Sequence, residues 1–360
     1  MAEKDLTYED LLHFTDREIQ LILREVDTRD LSVAMMGTNE DVNKRYFANV
    51  SNRVGDMIRE EMAARGQVSP SDSEEVQSRI LKTIAQLRDH GQIIWPKGEE
   101  KPRPKKPLSE EYYENKEKTK AQLEGISSLD MSCEEITEVI VGLANVARAE
   151  GILALDSLVD TDSNDMLSAG IRLAVDGTEP ELIQTILETR IEYLISHCVT
   201  TYRMMMEGFM SIQVGDNPRI VEQKLSTFYV AEPKTRSFSA EVSVDDLVAV
   251  VQNCPHAIWT FEKVTDLMTD ASIVARKHGS AALEPLVRLP KPMFLQRGFD
   301  LVVQNAEPGL TQTILETFLV HLELHLMAKC RMVMEGIMSI QSGDHPRIIE
   351  SKVRTFFDFD

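Results

Sequence analysis

The strongest constraint on this chain is a duplication. Ala147-Arg148-x-x-Gly151-x-x-Ala154-Leu155 recurs as Ala275-Arg276-x-x-Gly279-x-x-Ala282-Leu283. Met206-Glu207-Gly208-x-Met210-Ser211-Ile212-Gln213-x-Gly215-Asp216-x-Pro218-Arg219-Ile220 recurs from Met334 to Ile348. Both matches have an offset of 128, and from Ala147–Phe228 to Ala275–Phe356 40 of 82 positions are identical without a gap. A match of that length means that one unit was copied, so both copies must fold alike. The period is far longer than the roughly 20–50 residues of ordinary solenoid repeats.

Each copy carries one helix plan. Ser132 caps a helix running towards Leu158, and a shorter helix passes through Leu167, Gly170 and Leu173. Thr178-Glu179-Pro180 opens a long helix, with Pro180 in the first turn, where its missing N–H costs little. The 34 residues from Pro180 to Gln213 contain no further proline and would span about 51 Å as one helix. Gly215-Asp216-Asn217-Pro218 turns the chain, and Asn217 can cap a last helix through Leu225. The second copy repeats this plan with Thr260, Gly298, Pro308 and Pro346.

Helix signals also fill the first block, Leu6 to Ile94. Thr38 stands three before Asp41, and Ser243 three before Asp246, as N-caps; Ser132 with Glu135 fits the full capping box. Gly66 and Gly91 follow amphipathic runs as C-terminal caps. Strand-like alternation is scarce, and the expected class is all-α. Pro96, Pro102, Pro104 and Pro107 interrupt any helix. With Lys97, Lys101, Arg103, Lys105 and Lys106 among them they read as a solvated linker, or as a basic handle for anionic lipid or an acidic partner. The expected domains are 1–95, a linker at 96–120, and duplicated units at 121–231 and 232–360.

The net charge of −20 disfavours nucleic acid, which it would repel. Cys133, Cys198, Cys254 and Cys330 form no CxxC pair, so zinc or redox motifs and a disulfide framework are not expected. The first residues are polar, no signal peptide is expected, and no apolar run approaches the ~20 residues that span a bilayer. A soluble, cytoplasmic chain is the expectation.

The first block resembles the C-terminal domain of the flagellar motor switch protein FliG. The residues that carry this are Tyr8-Glu9-Asp10-Leu11, Asp16-Arg17-x-Ile19-Gln20, Leu23-Arg24-Glu25-Val26-Asp27 and Met36-Gly37. The strongest stretch is Phe47-x-Asn49-Val50-Ser51-x-Arg53, followed by Arg59-Glu60-Glu61 and Arg65-Gly66. From Asn52 to Arg65, Val54, Met57, Ile58 and Met62 make an apolar stripe. Arg53, Asp56 and Glu60 fall within ~60° on another face. By pattern alone that face is a solvated surface with weak helix pairs. The resemblance implies instead a helix that faces a stator and works by charge. Arg53, Glu60 and Glu61 match the family's charged positions in sign, while Met36 and Ser69 stand where it usually has lysine and often has arginine.

The duplicated units resemble the cytoplasmic part of the stator protein MotA. The first copy shows Ala147-Arg148-x-Glu150-Gly151-Ile152-Leu153-Ala154-Leu155-Asp156, then Gly170-Ile171-x-Leu173-x-Val175-Asp176-Gly177-Thr178-x-Pro180-Glu181-Leu182-Ile183, then Glu207-Gly208 through Pro218-Arg219. In the second copy Asp176-Gly177-Thr178 becomes Gln304-Asn305-Ala306. In MotA, membrane helices separate the second motif from the third; here one soluble helix is expected to join them, without an ion pathway. The family's rotor-facing arginine matches Arg148 and Arg276, and its glutamate matches Asp156 and Glu284. Such pairs steer contact and set register; the alternative is that they solvate a helix.

Together the resemblances imply a non-enzymatic flagellar motor protein, of FliG switch/rotor or accessory type, active in motility and chemotaxis at the basal body and peripheral to the inner membrane. It would contact the stator through its charged helix; the alternative is a soluble stator mimic acting as regulator, brake or decoy on the rotor. The implied partners are MotA-like stator or FliG-like rotor proteins, with self-association a further expectation. No cofactor is expected. His321 and His325 share a helical spacing but lack a following general-base glutamate, so no metal is expected either. Met204, Met206 and Met210, echoed by Met332, Met334 and Met338, read as core packing, or else as an adaptable groove. Trp95 and Trp259 read as domain-edge packing. No phosphate loop and no Ser/His/Asp arrangement is legible.

Overall fold

The computed structural model describes residues 6–95, 108–124, 127–159, 165–230, 242–253, 259–289 and 293–357. The prolines and basic residues of 96–107, and Cys254, lie outside these. Among the described residues every regular element is helical, so the fold is all-α.

The first block begins with a 3-10 turn, Tyr8–His13, and continues through α1 (Asp16–Glu25), α2 (Thr28–Met36), α3 (Glu40–Phe47), α4 (Asn52–Arg65) and α5 (Pro70–Asp89). Its caps are local. Thr15 accepts the Glu18 N–H, and the Glu18 carboxylate accepts the Thr15 N–H in return. The cap of α3 is Asn39, whose carbonyl accepts the Val42 N–H at 2.9 Å, and not the expected Thr38. The Thr38 hydroxyl instead accepts from the Gln77 amide on α5. Gly66 and Gly91 end α4 and α5 with φ of 73° and 72°, the left-handed region that glycine enters without a Cβ penalty. Leu11, Phe14, Ile19, Ile22, Ala34, Tyr46, Ile58 and Ile84 form a continuous core. Trp95 closes its edge, 5.5 Å from the Phe14 ring.

A helix, α6 (Glu110–Leu123), begins inside the segment read as a linker and runs past its end at 120. It packs on α7 (Cys133–Glu150). The fastening is polar: Glu150 accepts from Tyr112 Oη at 2.7 Å and from Lys116 Nζ at 2.8 Å. The first copy continues with a 3-10 turn, Ile152–Ser157, then α8 (Met166–Val175), α9 (Pro180–Val214) and α10 (Pro218–Leu225). The second copy comprises α11 (Val244–Gln252), α12 (Phe261–His278), a 3-10 turn at Ser280–Leu283, α13 (Glu284–Val287), α14 (Met293–Val303), α15 (Pro308–Ser342) and α16 (Pro346–Arg354). The Ser243–Asp246 capping box starts α11. Both long helices are unbroken over 35 residues, and α12, α15 and α16 start 128 residues after α7, α9 and α10.

The chain divides into two compact units, and neither is one sequence repeat. The first comprises Met1–Ser128, Cys133–Leu187 and Met332–Asp360; the second comprises Leu129–Ser132 and Glu188–Arg331. Each therefore combines the front of one copy with the tail of the other. In the first unit α16 packs on α7; in the second α10 packs on α12.

The same reciprocity holds atom by atom. In the first unit the Gln341 amide donates to the Thr178 carbonyl at 2.7 Å. In the second, Gln213, the counterpart of Gln341, donates to the Ala306 carbonyl at 3.1 Å. Gly170 leaves room for Ile337 in the first unit, and its counterpart Gly298 leaves room for Phe209 in the second; a Cβ at either glycine would collide. Since α9 and α15 contain no break, neither copy doubles back before its tail is reached.

The methionine series is core. Met204, Met206 and Met332 are buried, while Met210, Met334 and Met338 are half-buried. Trp259 is buried in the second unit's core. Cys133, Cys198 and Cys330 are buried.

Candidate protein-interaction surface

The candidate surface is built on α4. Ser51 caps it, its hydroxyl accepting the Val54 N–H at 3.2 Å. The buried side is set by Ile58, fully buried, and Gly55, with Val54 and Met62 half-buried. Met57, expected within the apolar stripe, is 54 % exposed. At 100° per residue it lies ~100° from the centre of the Val54–Ile58–Met62 line. Gly55 lies closer to that centre and takes the place of a side chain, facing Phe47. Arg59 lies over the Phe47 ring at 4.5 Å and pairs with Asp56 at 2.7 Å.

The expected charges stand in three different situations. Glu60 is exposed. Glu61 is half-buried and pairs along the helix with Arg65 at 2.8 Å. Arg53 is half-exposed and engaged elsewhere in the chain: it pairs with Asp176, whose carboxylate also accepts from Ser51 Oγ at 2.6 Å. Asp176 is the acidic residue of the Asp-Gly-Thr motif that follows α8. The sequence displays both Arg53 and Asp176 as motif residues, but no local pattern connects positions so far apart.

The charges of the duplicated copies are also dispersed. Arg148, at the end of α7, is exposed and lines a cavity of about 630 Å³ with Asp16, Arg24, Asn49, Gly151 and Asp344. Burial pushes the Arg24 guanidinium below its usual range. Arg276, at the matching place on α12, donates to the Gly215 carbonyl at 2.7 Å. Asp156 is half-buried in the 3-10 turn after α7. Glu284 is exposed and pairs with Arg288 at 2.7 Å.

Sequence reasoning passed over two lysine hubs. Lys224 joins Glu207 and Asp216, both at 2.9 Å, and Lys352 joins Glu335 at 3.1 Å and Asp344 at 2.9 Å. Each lysine holds its aspartate below the usual carboxylate range by hydrogen bonding. The signal was present: both lysines and all four carboxylates recur at the 128-residue offset. Among the described residues no group of three or more His, Cys, Asp or Glu is arranged to hold a metal.

The FliG C-terminal domain model matches residues 1–94. FliG of Thermotoga maritima is 40 % identical over 91 residues, 25 % of this chain and 27 % of that protein. FliG of Borreliella burgdorferi is 33 % identical over 100 residues, 28 % of this chain and 29 % of that protein. Motility protein A of Borreliella burgdorferi is 24 % identical over 221 residues, 61 % of this chain and 65 % of that protein. The chain thus spans less than a third of the FliG relatives and just under two thirds of motility protein A.

Proposed function

We propose that this chain is a non-enzymatic flagellar motor component of rotor or accessory type, which meets a stator surface through α4 of its FliG-like domain. The observation that carries this is the exposed Glu60 on the side of α4 opposite the core, in a domain that matches FliG, within a chain whose remainder resembles motility protein A. Glu61 and the outer part of Arg53 flank it. The MotA-like copies are a scaffold that offers further contact residues, Arg148 and Asp156 in the first copy and Arg276 and Glu284 in the second. No described helix is long and apolar enough to cross a membrane, which fits a place at the cytoplasmic face of the inner membrane beside the basal body.

The test is charge reversal. Glu60→Lys with Glu61→Lys should abolish co-purification with stator-containing membranes and shift thermal unfolding only slightly, because the exposed Glu60 contributes little to stability and a surface pair such as Glu61–Arg65 about 0–1 kcal/mol. Raised salt should weaken the wild-type contact, since the Debye length falls to roughly 3 Å at 1 M. Unchanged capture of stator membranes by the double variant would refute the role of α4.

One observation favours a second reading. A MotA-like turn of this chain already binds a FliG-type helix, through Asp176 and Arg53. A soluble stator mimic acting as brake or decoy would use such contacts on the rotor. It should capture authentic FliG in a pull-down, whereas the rotor-type protein should capture stator membranes.

A further inference from the structure

The turn after α8 makes a contact that the stator-facing reading of α4 does not use. Asp176 takes two bonds from the N-terminal end of α4: the Ser51 hydroxyl at 2.6 Å and the Arg53 guanidinium. Its side chain is only 17 % exposed, against 51 % for Arg53. A carboxylate at a helix N-terminus is also favoured by the partial positive charge of the unpaired N–H groups there.

A second element of the FliG-like domain closes on the same turn. Gly177 has φ of 78°, and a Cβ there would stand 3.3 Å from Arg24 Cγ, at the end of α1. Glycine adopts this backbone without a Cβ penalty and leaves room for the approach of Arg24; at the counterpart position Asn305 adopts it too, with φ of 52°.

The second copy makes a different set of contacts at this turn. Its counterpart turn carries Gln304 and Asn305. There the Gln304 amide folds back on Asp300 at 2.6 Å, and Asn305 Oδ1 accepts from Ser280 Oγ at 3.0 Å. The turn of the second copy, in a unit that holds no part of residues 6–95, closes on its own copy, and the turn of the first copy reaches α4 through Asp176.

We propose that the Asp176-Gly177 turn is a docking site for the N-terminal end of a FliG-type helix, occupied by this chain's own Ser51 and Arg53. Within the first compact unit the contact fixes the FliG-like domain on the turn after α8 and withholds the inner side of Arg53 from any outside partner while it is closed. The inference stands apart from whether Glu60 and Glu61 meet a stator.

Two readouts on the full chain test it. The first is the rate at which phenylglyoxal modifies Arg53, normalised to Arg59 and read by mass spectrometry. Asp176→Asn should raise that ratio roughly tenfold, the size of change that loss of a charge-assisted hydrogen bond produces; 1 M salt should raise it in the wild type. The second is hydrogen exchange. Arg53→Ala, which leaves the Ser51 cap and Asp176 in place, should speed exchange at Val54, Gly55 and the 24–26 segment while α2 and α5 stay protected. The charge-swapped pair Arg53→Asp with Asp176→Arg should return that protection. An unchanged Arg53 ratio in Asp176→Asn would overturn the proposal. So would faster exchange that spreads through α2 and α5, which would make these residues part of the domain's own stability.

Discussion

Replacing Gly336 by alanine tests the exchange of repeat tails. A Cβ at Gly336 would lie 2.6 Å from Ile140 Cδ1, 2.7 Å from Cγ2 and 3.0 Å from Cγ1. These distances fall well inside the 3.5–4.0 Å of an ordinary carbon contact. Ile140 is fully buried, and as a β-branched residue in a helix it holds one χ1 rotamer, so its Cγ2 cannot swing clear. Overpacking of this kind costs about 1–3 kcal/mol. Alanine recovers about 1 kcal/mol over glycine within a helix, leaving a net loss of about 0–2 kcal/mol.

Ile140→Ala alone should cost about 2–5 kcal/mol, but it removes all three crowding atoms. In a double-mutant cycle Gly336→Ala and Ile140→Ala should therefore show favourable coupling of about 1–3 kcal/mol. Were each copy packed on its own front, the residue meeting Gly336 would be Met268, the counterpart of Ile140. Met268 instead meets Gly208, so Gly336→Ala and Met268→Ala should be additive within about 0.5 kcal/mol. The assay is urea unfolding followed by far-UV circular dichroism. Coupling of Gly336 to Met268, with none to Ile140, would refute the exchange.

Tyr46→Phe should destabilise the FliG-like domain by about 1–3 kcal/mol, because it leaves the buried Tyr8 hydroxyl without the 2.9 Å bond that Tyr46 donates. Converting both tyrosines to phenylalanine should be milder than either single change, as chemical denaturation would read. Acid should weaken both lysine hubs. The folded pKa of Asp216 and of Asp344 lies below its ordinary value, so their contribution is complete above about pH 4 and is lost as pH falls through the lower folded values. Lys224→Met should flatten the acid limb of the urea midpoint. The folded pKa values of Lys224 and Lys352 are raised, so at the alkaline end their contribution holds below about pH 10 and fades as pH rises through the folded values.

The helix plan was legible because its signals are local. Pro180 and Pro308 open both long helices, Asn217 caps α10 through the Arg219 N–H, and Gly66 and Gly91 end α4 and α5. The exchange was not legible, and the duplication itself is the reason. When Gly170 and Gly298 present equivalent holes, and Ile337 and Phe209 equivalent knobs, sequence cannot say which knob fills which hole. Asn39 displaced Thr38 as a cap because both side chains suit the role and only the fold places Gln77 beside Thr38. Glu61 with Arg65 is a helical neighbour pair and could be read directly. Arg53 with Asp176 joins two motifs far apart in the chain, so each residue was visible and their meeting was not.

The motor role is tested most directly in living cells. A fluorescent fusion of the full chain, expressed at its native level, should form foci at flagellar basal bodies, and these should vanish in cells that build no basal body. The Glu60→Lys, Glu61→Lys variant should accumulate to the same level and yet impair swimming. Diffuse fluorescence indifferent to the basal body, with swimming unaffected by the double reversal, would contradict the assignment of this chain to the flagellar motor.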